Sequence, residues 1–147
     1  MRRTKWAAIG LGAAAWLLGG LAGGSGARAA GTTSFDGNWN LTYICANSHD
    51  GGKGFTWMMI AQIRNGALIA MRGTNGTPDS ATIQGRIDAD GEGLLRFEGL
   101  TGSSDYSLGH VPPMTLYHYT ADVHFGATRA TGKRNEGRDC TLTFVKQ

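Results

Sequence analysis

The sequence predicts an all-β protein, a small antiparallel up-and-down barrel of about eight strands. Residues 55–64 and 115–125 alternate apolar and polar side chains with period two, as strands with one buried and one solvated face do. Turns rich in glycine, asparagine and aspartate separate such segments. The two cysteines, Cys45 and Cys140, end the first strand pattern and begin the last. Pairing of the first and last strands would close a barrel and remove exposed edges; a two-sheet β-sandwich is the alternative.

Each strand is predicted from its own pattern. The first, residues 37–45, places Trp39, Leu41, Tyr43 and Cys45 on one face. The second, residues 55–64, is followed by Asn65-Gly66, the strongest two-residue hairpin signal. The remaining strands are predicted at residues 67–72, 80–87, 94–98, 115–125, 128–134 and 140–146. Residues 100–114 form the longest irregular stretch, and loops of this length are commonly functional or mobile.

The first 29 residues have the layout of an export signal. Arg2, Arg3 and Lys5 precede an apolar run over residues 6–21, and Ala27-Arg28-Ala29 supplies a small-x-small cleavage site. The run is short and diluted by glycine compared with the roughly 20 apolar residues of a spanning helix. We therefore expect a periplasmic or secreted protein, with residues 30–147 as one domain and no membrane span after cleavage.

Charge argues against a nucleic-acid partner. Of the 14 Lys and Arg residues, four lie in residues 1–29, whereas all 11 Asp and Glu lie beyond them. The chain after the signal therefore has ten basic and eleven acidic residues, a net charge of −1. A nucleic-acid surface would need a basic mature domain.

Two cysteines in an exported protein predict a disulfide. The Cys45–Cys140 bridge would close a loop of 95 residues. In the chain-entropy model such a bridge stabilises the fold by about 4–5 kcal/mol. Two unlinked buried thiols are the alternative.

Aromatic side chains in the inward phase are the candidate ligand contacts. They are Trp39, Tyr43, Trp57, Tyr117 and Tyr119. An eight-stranded barrel is just wide enough to fill with side chains or to hold one small ligand. Small residues at four inward positions predict a thin side that favours a cavity; these are Ala81, Gly85, Ala130 and Gly132.

Arg134 has two interpretations. It shares a phase with Gly132 and could face an anionic ligand at the barrel mouth. Alternatively, Arg134 and Arg138 pair with acidic neighbours and hold the turn before Cys140. Because Glu136 and Asp139 are interleaved with these cations, the charge pattern favours the structural interpretation.

Other polar groupings have structural explanations. Asp122 and His124 lie about 7 Å apart on one strand face, which indicates a hydrated outer surface more than a metal site. Asp88-Ala-Asp-Gly begins like a calcium loop but lacks the downstream glutamate and fits a tight turn. Ser103-Ser104-Asp105 with His110 lies in one loop, whereas a triad needs rigid separate elements. We expect no metal, no cofactor and no catalytic residue.

Residues 35–147 resemble a family of small exported bacterial β-proteins that has no assigned biochemical role. The motifs that carry the resemblance are Phe35-Asp-Gly-x-Trp39, Asn65-Gly66, Gly85-x-Ile87, Val111-Pro112, Tyr117-x-Tyr119, Gly132-x-Arg134-x-x-Gly137-Arg138-x-Cys140 and Phe144-Val145. The fold is also similar to avidin-like and lipocalin-like barrels, by analogy alone. The family resemblance transfers no activity, because the family has none assigned, and the barrel analogy concerns the fold alone.

These observations favour an exported, non-enzymatic binding module. Its partner would be a small molecule in the barrel mouth or an envelope protein that contacts residues 100–114. The alternative is an envelope structural or inhibitory protein with a filled core, and an enzyme of unknown type is third. A cavity lined by Trp57 and Tyr119 would favour ligand binding, and a solid core would favour the alternative.

Overall fold

The computed structural model describes residues 33–147, which form a closed barrel of eight antiparallel strands in sequence order. The strands are β1 Gly37–Cys45, β2 Phe55–Arg64, β3 Ala67–Arg72, β4 Ser80–Ile87, β5 Glu92–Leu100, β6 Leu116–Phe125, β7 Arg129–Arg134 and β8 Cys140–Lys146. The predicted all-β barrel is confirmed. The export signal predicted for residues 1–29 lies outside the described residues.

The barrel closes between its first and last strands. β1 and β8 pair from Trp39↔Lys146 to Cys45↔Cys140. The last of these pairs is covalent, which confirms the predicted disulfide. β5 is longer than predicted because its two ends still find partners on β6, from Glu92↔His124 to Leu100↔Leu116.

The seam between β2 and β3 is short, as is that between β6 and β7, which begins only at Ala121↔Arg134. β2 pairs with β1 along nearly its whole length, from Cys45↔Phe55 to Gly37↔Ile63. It pairs with β3 only from Ala61↔Ala70 to Arg64↔Ala67. Residues 55–60 therefore run beyond the ladder that joins β2 to β3.

The alternating strand directions give the barrel two different ends. Short turns at residues 65–66, 88–91 and 126–128 gather at one end, here called the closed end. The longer connections, residues 46–54, 73–79, 101–115 and 135–139, gather at the other, here called the mouth. The disulfide lies at the mouth, where β1 ends and β8 begins.

The closed end is sealed by aromatic side chains and a backbone cap. Phe35 is buried 6.0 Å from the ring of Phe125, and Trp39 meets Phe125 edge-on at 5.0 Å. The Trp39 indole donates to the Phe35 carbonyl at 2.9 Å. The Asp36 carboxylate accepts hydrogen bonds from the backbone N–H groups of Asn65 and Gly66. The Phe35-Asp-Gly-x-Trp39 motif thus has a structural role, as the plug of this end.

The long connection between β5 and β6 is ordered by two short 3₁₀ helices, Ser104–Tyr106 and Leu108–His110. The Ser103 side chain accepts from the Asp105 N–H and caps the first of them. Neither helix within residues 33–147 is long and apolar enough to cross a membrane.

Candidate functional site

A cavity of about 270 Å³ opens at the mouth. This volume is near the lower end of the roughly 300–1,000 Å³ typical of ligand pockets. Its lining is mostly apolar and comes from three sources: inward strand residues, the 101–115 connection and two arginines. The main lining residues are Phe55, Trp57, Leu100, Tyr106, Leu108, Val111, Tyr117, Tyr119, Arg134 and Arg138.

Stacked aromatic rings form the floor of this cavity. Tyr119 lies 4.6 Å from the ring of Phe97 and 5.7 Å from that of Tyr117, both stacked. Tyr43, the cross-strand partner of Trp57, packs 5.5 Å from its ring. Tyr43 and its neighbour Phe97 are both fully buried, so they fill the barrel interior beside this floor.

Arg134 ends β7 in the inward phase, across from Ala121. Its guanidinium carbon lies 3.6 Å from the centre of the Tyr119 ring, a close cation–π contact. Among the described residues it forms no salt bridge. The interpretation of Arg134 as paired with an acidic neighbour is therefore wrong. The physical reason is that Glu136 uses both carboxylate oxygens on Thr120, at 2.8 Å to its N–H and 2.7 Å to its hydroxyl.

Arg138 fastens the mouth loops to one another. It is only 6% exposed. Its guanidinium donates to the Tyr106 carbonyl at 3.0 Å and to the Ser48 hydroxyl at 3.1 Å. Arg138 thus has the structural role expected before Cys140, through a carbonyl and a hydroxyl in place of a carboxylate. Burial lowers the pKa of Arg138, and the nearby positive charge of Arg134 lowers it further.

Buried polar atoms without hydrogen-bond partners cluster at this end. Within residues 33–147 they are Tyr43 Oη, Arg72 Nε, Arg134 Nε and Arg138 Nε. Leaving a buried donor unsatisfied costs about 1–3 kcal/mol, so such groups call for an explanation. Two of the four, on Arg134 and Arg138, belong to residues that line the cavity.

The tyrosines of the floor are uncharged at neutral pH. Burial raises the pKa of Tyr119 well above its usual value, and the neighbouring Tyr43 adds to the rise. Burial likewise raises the pKa of Tyr117 and of Tyr43. These residues are therefore neutral hydroxyl groups and supply no negative charge to the two arginines.

The structure brings four of the six predicted ligand residues together. Trp57, Tyr117, Tyr119 and Arg134 all line the cavity. Tyr43 does not line the cavity but packs against Trp57, which does. Trp39 lies in the plug of the closed end and does not belong to this site.

The predicted thin side of the barrel is not where the cavity lies. Gly85 and Gly132 are closely covered: an added Cβ would lie 2.4 Å from the Leu94 carbonyl oxygen and 2.5 Å from that of Asp122. The prediction of a cavity from inward small residues was wrong because neighbouring strands fill the space that these side chains leave.

Sequence reasoning missed the contribution of the loops to the cavity. Tyr106, Leu108, Val111 and Arg138 line it but lie outside any alternating pattern. Phe55, the first residue of β2, also lines the cavity and was not among the predicted ligand contacts. Loop side chains reach the cavity through long-range contacts such as the Lys53 N–H to Asp105 carbonyl bond of 2.7 Å, which no local pattern reveals.

The remaining polar groupings have structural partners. On the outer face of the barrel, His124 Nδ1 lies 2.7 Å from Glu92. In the 101–115 connection, Asp105 pairs with Lys53 at 2.7 Å. His110 contacts the carbonyl oxygens of Ser104 and Asp50. Ser104 and His110 therefore contribute to loop structure.

Comparison of the chain with protein-family models, with curated proteins and with solved structures found no match. The site is therefore interpreted from its geometry.

Proposed function

We propose that this protein is an exported, non-enzymatic binding module that takes up a small molecule at the mouth of its barrel. The observation that carries the proposal is the cavity of about 270 Å³ between the aromatic floor and the 101–115 connection. Apolar walls with a few convergent polar groups are the usual composition of a ligand pocket. The Cys45–Cys140 disulfide is consistent with the oxidising compartment that export implies.

The filled-core alternative has less support. The barrel is solid through its middle and closed end, but its mouth is hollow and lined by Trp57 and Tyr119. The 101–115 connection supplies part of the cavity wall through Leu108 and Val111. This position favours a small molecule over a protein partner as the occupant.

A panel of small aromatic compounds tests the proposal. Phenyl, indolyl and naphthyl compounds, each as an acid, an amide and an amine, are added to the purified protein. Because a ligand that binds only the native state raises stability, at least one member should raise the melting temperature and change the tryptophan emission. The emission change should disappear in Trp57→Phe and persist in Trp39→Phe. A panel without any effect on either signal would reject the function.

A further inference from the structure

The charges around the mouth indicate more than a general apolar pocket. Arg134 and Arg138 are close enough for each to oppose the charge of the other. Like charges are destabilising when solvent does not screen them. An anion bound in the cavity beside these two guanidinium groups would reduce this repulsion.

Three carboxylates near the two arginines make their close contacts with other groups, although Glu136 and Asp50 keep their charge and partly offset that of the arginines. Asp79 lines the cavity but pairs with Arg72. Glu136 is bound by Thr120. Asp50 accepts from the Ser48 hydroxyl and from the N–H groups of Gly52 and Gly109.

Both arginines line the cavity, and each retains a buried Nε without a hydrogen-bond partner among the described residues. Arg138 spends one terminal nitrogen on the Tyr106 carbonyl and the other on the Ser48 hydroxyl. Its Nε, like the Nε of Arg134, is buried and without a partner among the described residues. Guanidinium donors form short, strong, often bidentate hydrogen bonds with carboxylates.

The apolar lining of the cavity indicates what kind of molecule would carry the anionic group. Trp57, Tyr117 and Tyr119 present ring surfaces to the cavity, and Leu108 and Val111 close its other side. A flat apolar or aromatic group would stack against these rings and gain contact with their faces.

We infer that the ligand is a small organic acid, a flat apolar body that carries a carboxylate, and that its carboxylate is bound by Arg134 and Arg138. This inference rests on the proposed function and specifies its ligand. The two arginines attract the carboxylate and fix its orientation, and the aromatic floor provides the apolar surface against which the rest of the ligand packs. The small size of the cavity limits the body to about one or two rings.

Matched ligands test the inference. Indole-3-acetate, indole-3-acetamide and tryptamine share one ring system and differ in charge. Calorimetric titration of the purified protein should show the acid binding about 10- to 100-fold more tightly than the amide, because a hydrogen bond to a charged group contributes that much. The amine should bind more weakly than the amide.

The variants identify the groups responsible. Arg134→Met keeps the methylene stem and should reduce the affinity for the acid about tenfold or more, while affinity for the amide changes little. Arg129→Met, at the exposed opposite end of the same strand, is the matched control and should leave both affinities unchanged. Arg138→Lys keeps a charge but loses the planar donors, and its melting temperature reports whether the loops remain assembled.

The outcomes separate the two proposals. Equal affinities for acid and amide, or a preference for the amine, would overturn the organic-acid inference and leave the binding function intact. A preference for the acid that survives Arg134→Met and Arg138→Lys in folded protein would also overturn it. If no member of the full panel binds, both proposals fail.

Discussion

The two ends of the barrel differ in how completely side chains fill them and in how completely their polar groups are paired. At the closed end, Phe35, Trp39 and Phe125 fill the barrel and Asp36 satisfies the hairpin backbone. At the mouth, the aromatic layer stops below a cavity, and Arg134 and Arg138 retain unpartnered buried donors. Buried polar groups are normally satisfied. The contrast indicates that the closed end is packed for stability, whereas the mouth leaves polar groups unpaired, as the proposed binding function would require.

The disulfide joins β1 and β8 at the mouth, and its loss should lower the stability of the protein more than any other change considered. Replacing Cys45 and Cys140 by alanine releases a loop of 95 residues and should lower the free energy of unfolding by about 4–5 kcal/mol. Urea denaturation of the double variant measures this loss. Reduction of the wild-type protein should have the same effect, and a loss under about 1 kcal/mol would mean that the mouth holds together without the bridge.

Truncation of one phenylalanine at each end tests the contrast in packing. Phe125→Ala leaves a cavity among Phe35, Trp39 and Phe144 and should cost about 3–5 kcal/mol. Phe55→Ala removes a half-buried ring at the mouth and should cost clearly less. Thermal and urea unfolding give both values. Equal losses would show that the mouth is packed for stability as the closed end is.

The smallest expected change in stability comes from Asp36, which caps the hairpin backbone at the closed end. Burial opposes ionisation of Asp36, but hydrogen bonds from the Thr33 hydroxyl and from the N–H groups of Gly66 and Asn65 outweigh it and lower its pKa. A lowered carboxyl pKa contributes stability above the unfolded value of 3.8, which is lost as pH falls through the folded value.

Asp36→Asn should therefore lower the free energy of unfolding by about 1 kcal/mol at pH 7, a value reduced by solvent screening. The difference from wild type should shrink as the solution is acidified below pH 4. Asp88→Asn, in an exposed turn at the same end, should leave stability unchanged at both pH values. A difference that persists in acid would show that the charge of Asp36 is irrelevant.

Much of the fold could be predicted because strand alternation is a local signal. The inward phase of β1, β2 and β6 is visible in the sequence, and it correctly placed Trp57, Tyr117 and Tyr119 on the inside. Strand alternation does not predict the position of a residue along the barrel axis. Trp39 and Trp57 share the inward phase, yet Trp39 lies in the plug and Trp57 at the cavity, since only strand direction and register decide which end a residue reaches.

The contacts that loop residues make at the cavity could not be predicted for a further reason. Arg138 lies six residues before Phe144 in an unpatterned turn, but its donors meet Tyr106 and Ser48 from two other connections. Such contacts between distant segments exist only once the barrel has closed. The pairing expected for Arg134 failed on the same ground, because Thr120 of β6 binds the carboxylate of Glu136.

The short seam between β2 and β3 predicts where the mouth opens most easily. Most strands are held by ladders along both sides, but at the mouth residues 55–60 of β2 and 116–120 of β6 each lack a ladder on one side. Residues 55–60 have a continuous ladder only on the β1 side. On the other side Arg72 lies 4.9 Å from the Trp57 ring and pairs with Asp79. Local opening follows the weakest set of backbone hydrogen bonds. Local opening of residues 55–60 can therefore widen the mouth while the disulfide and the plug keep the rest of the barrel intact.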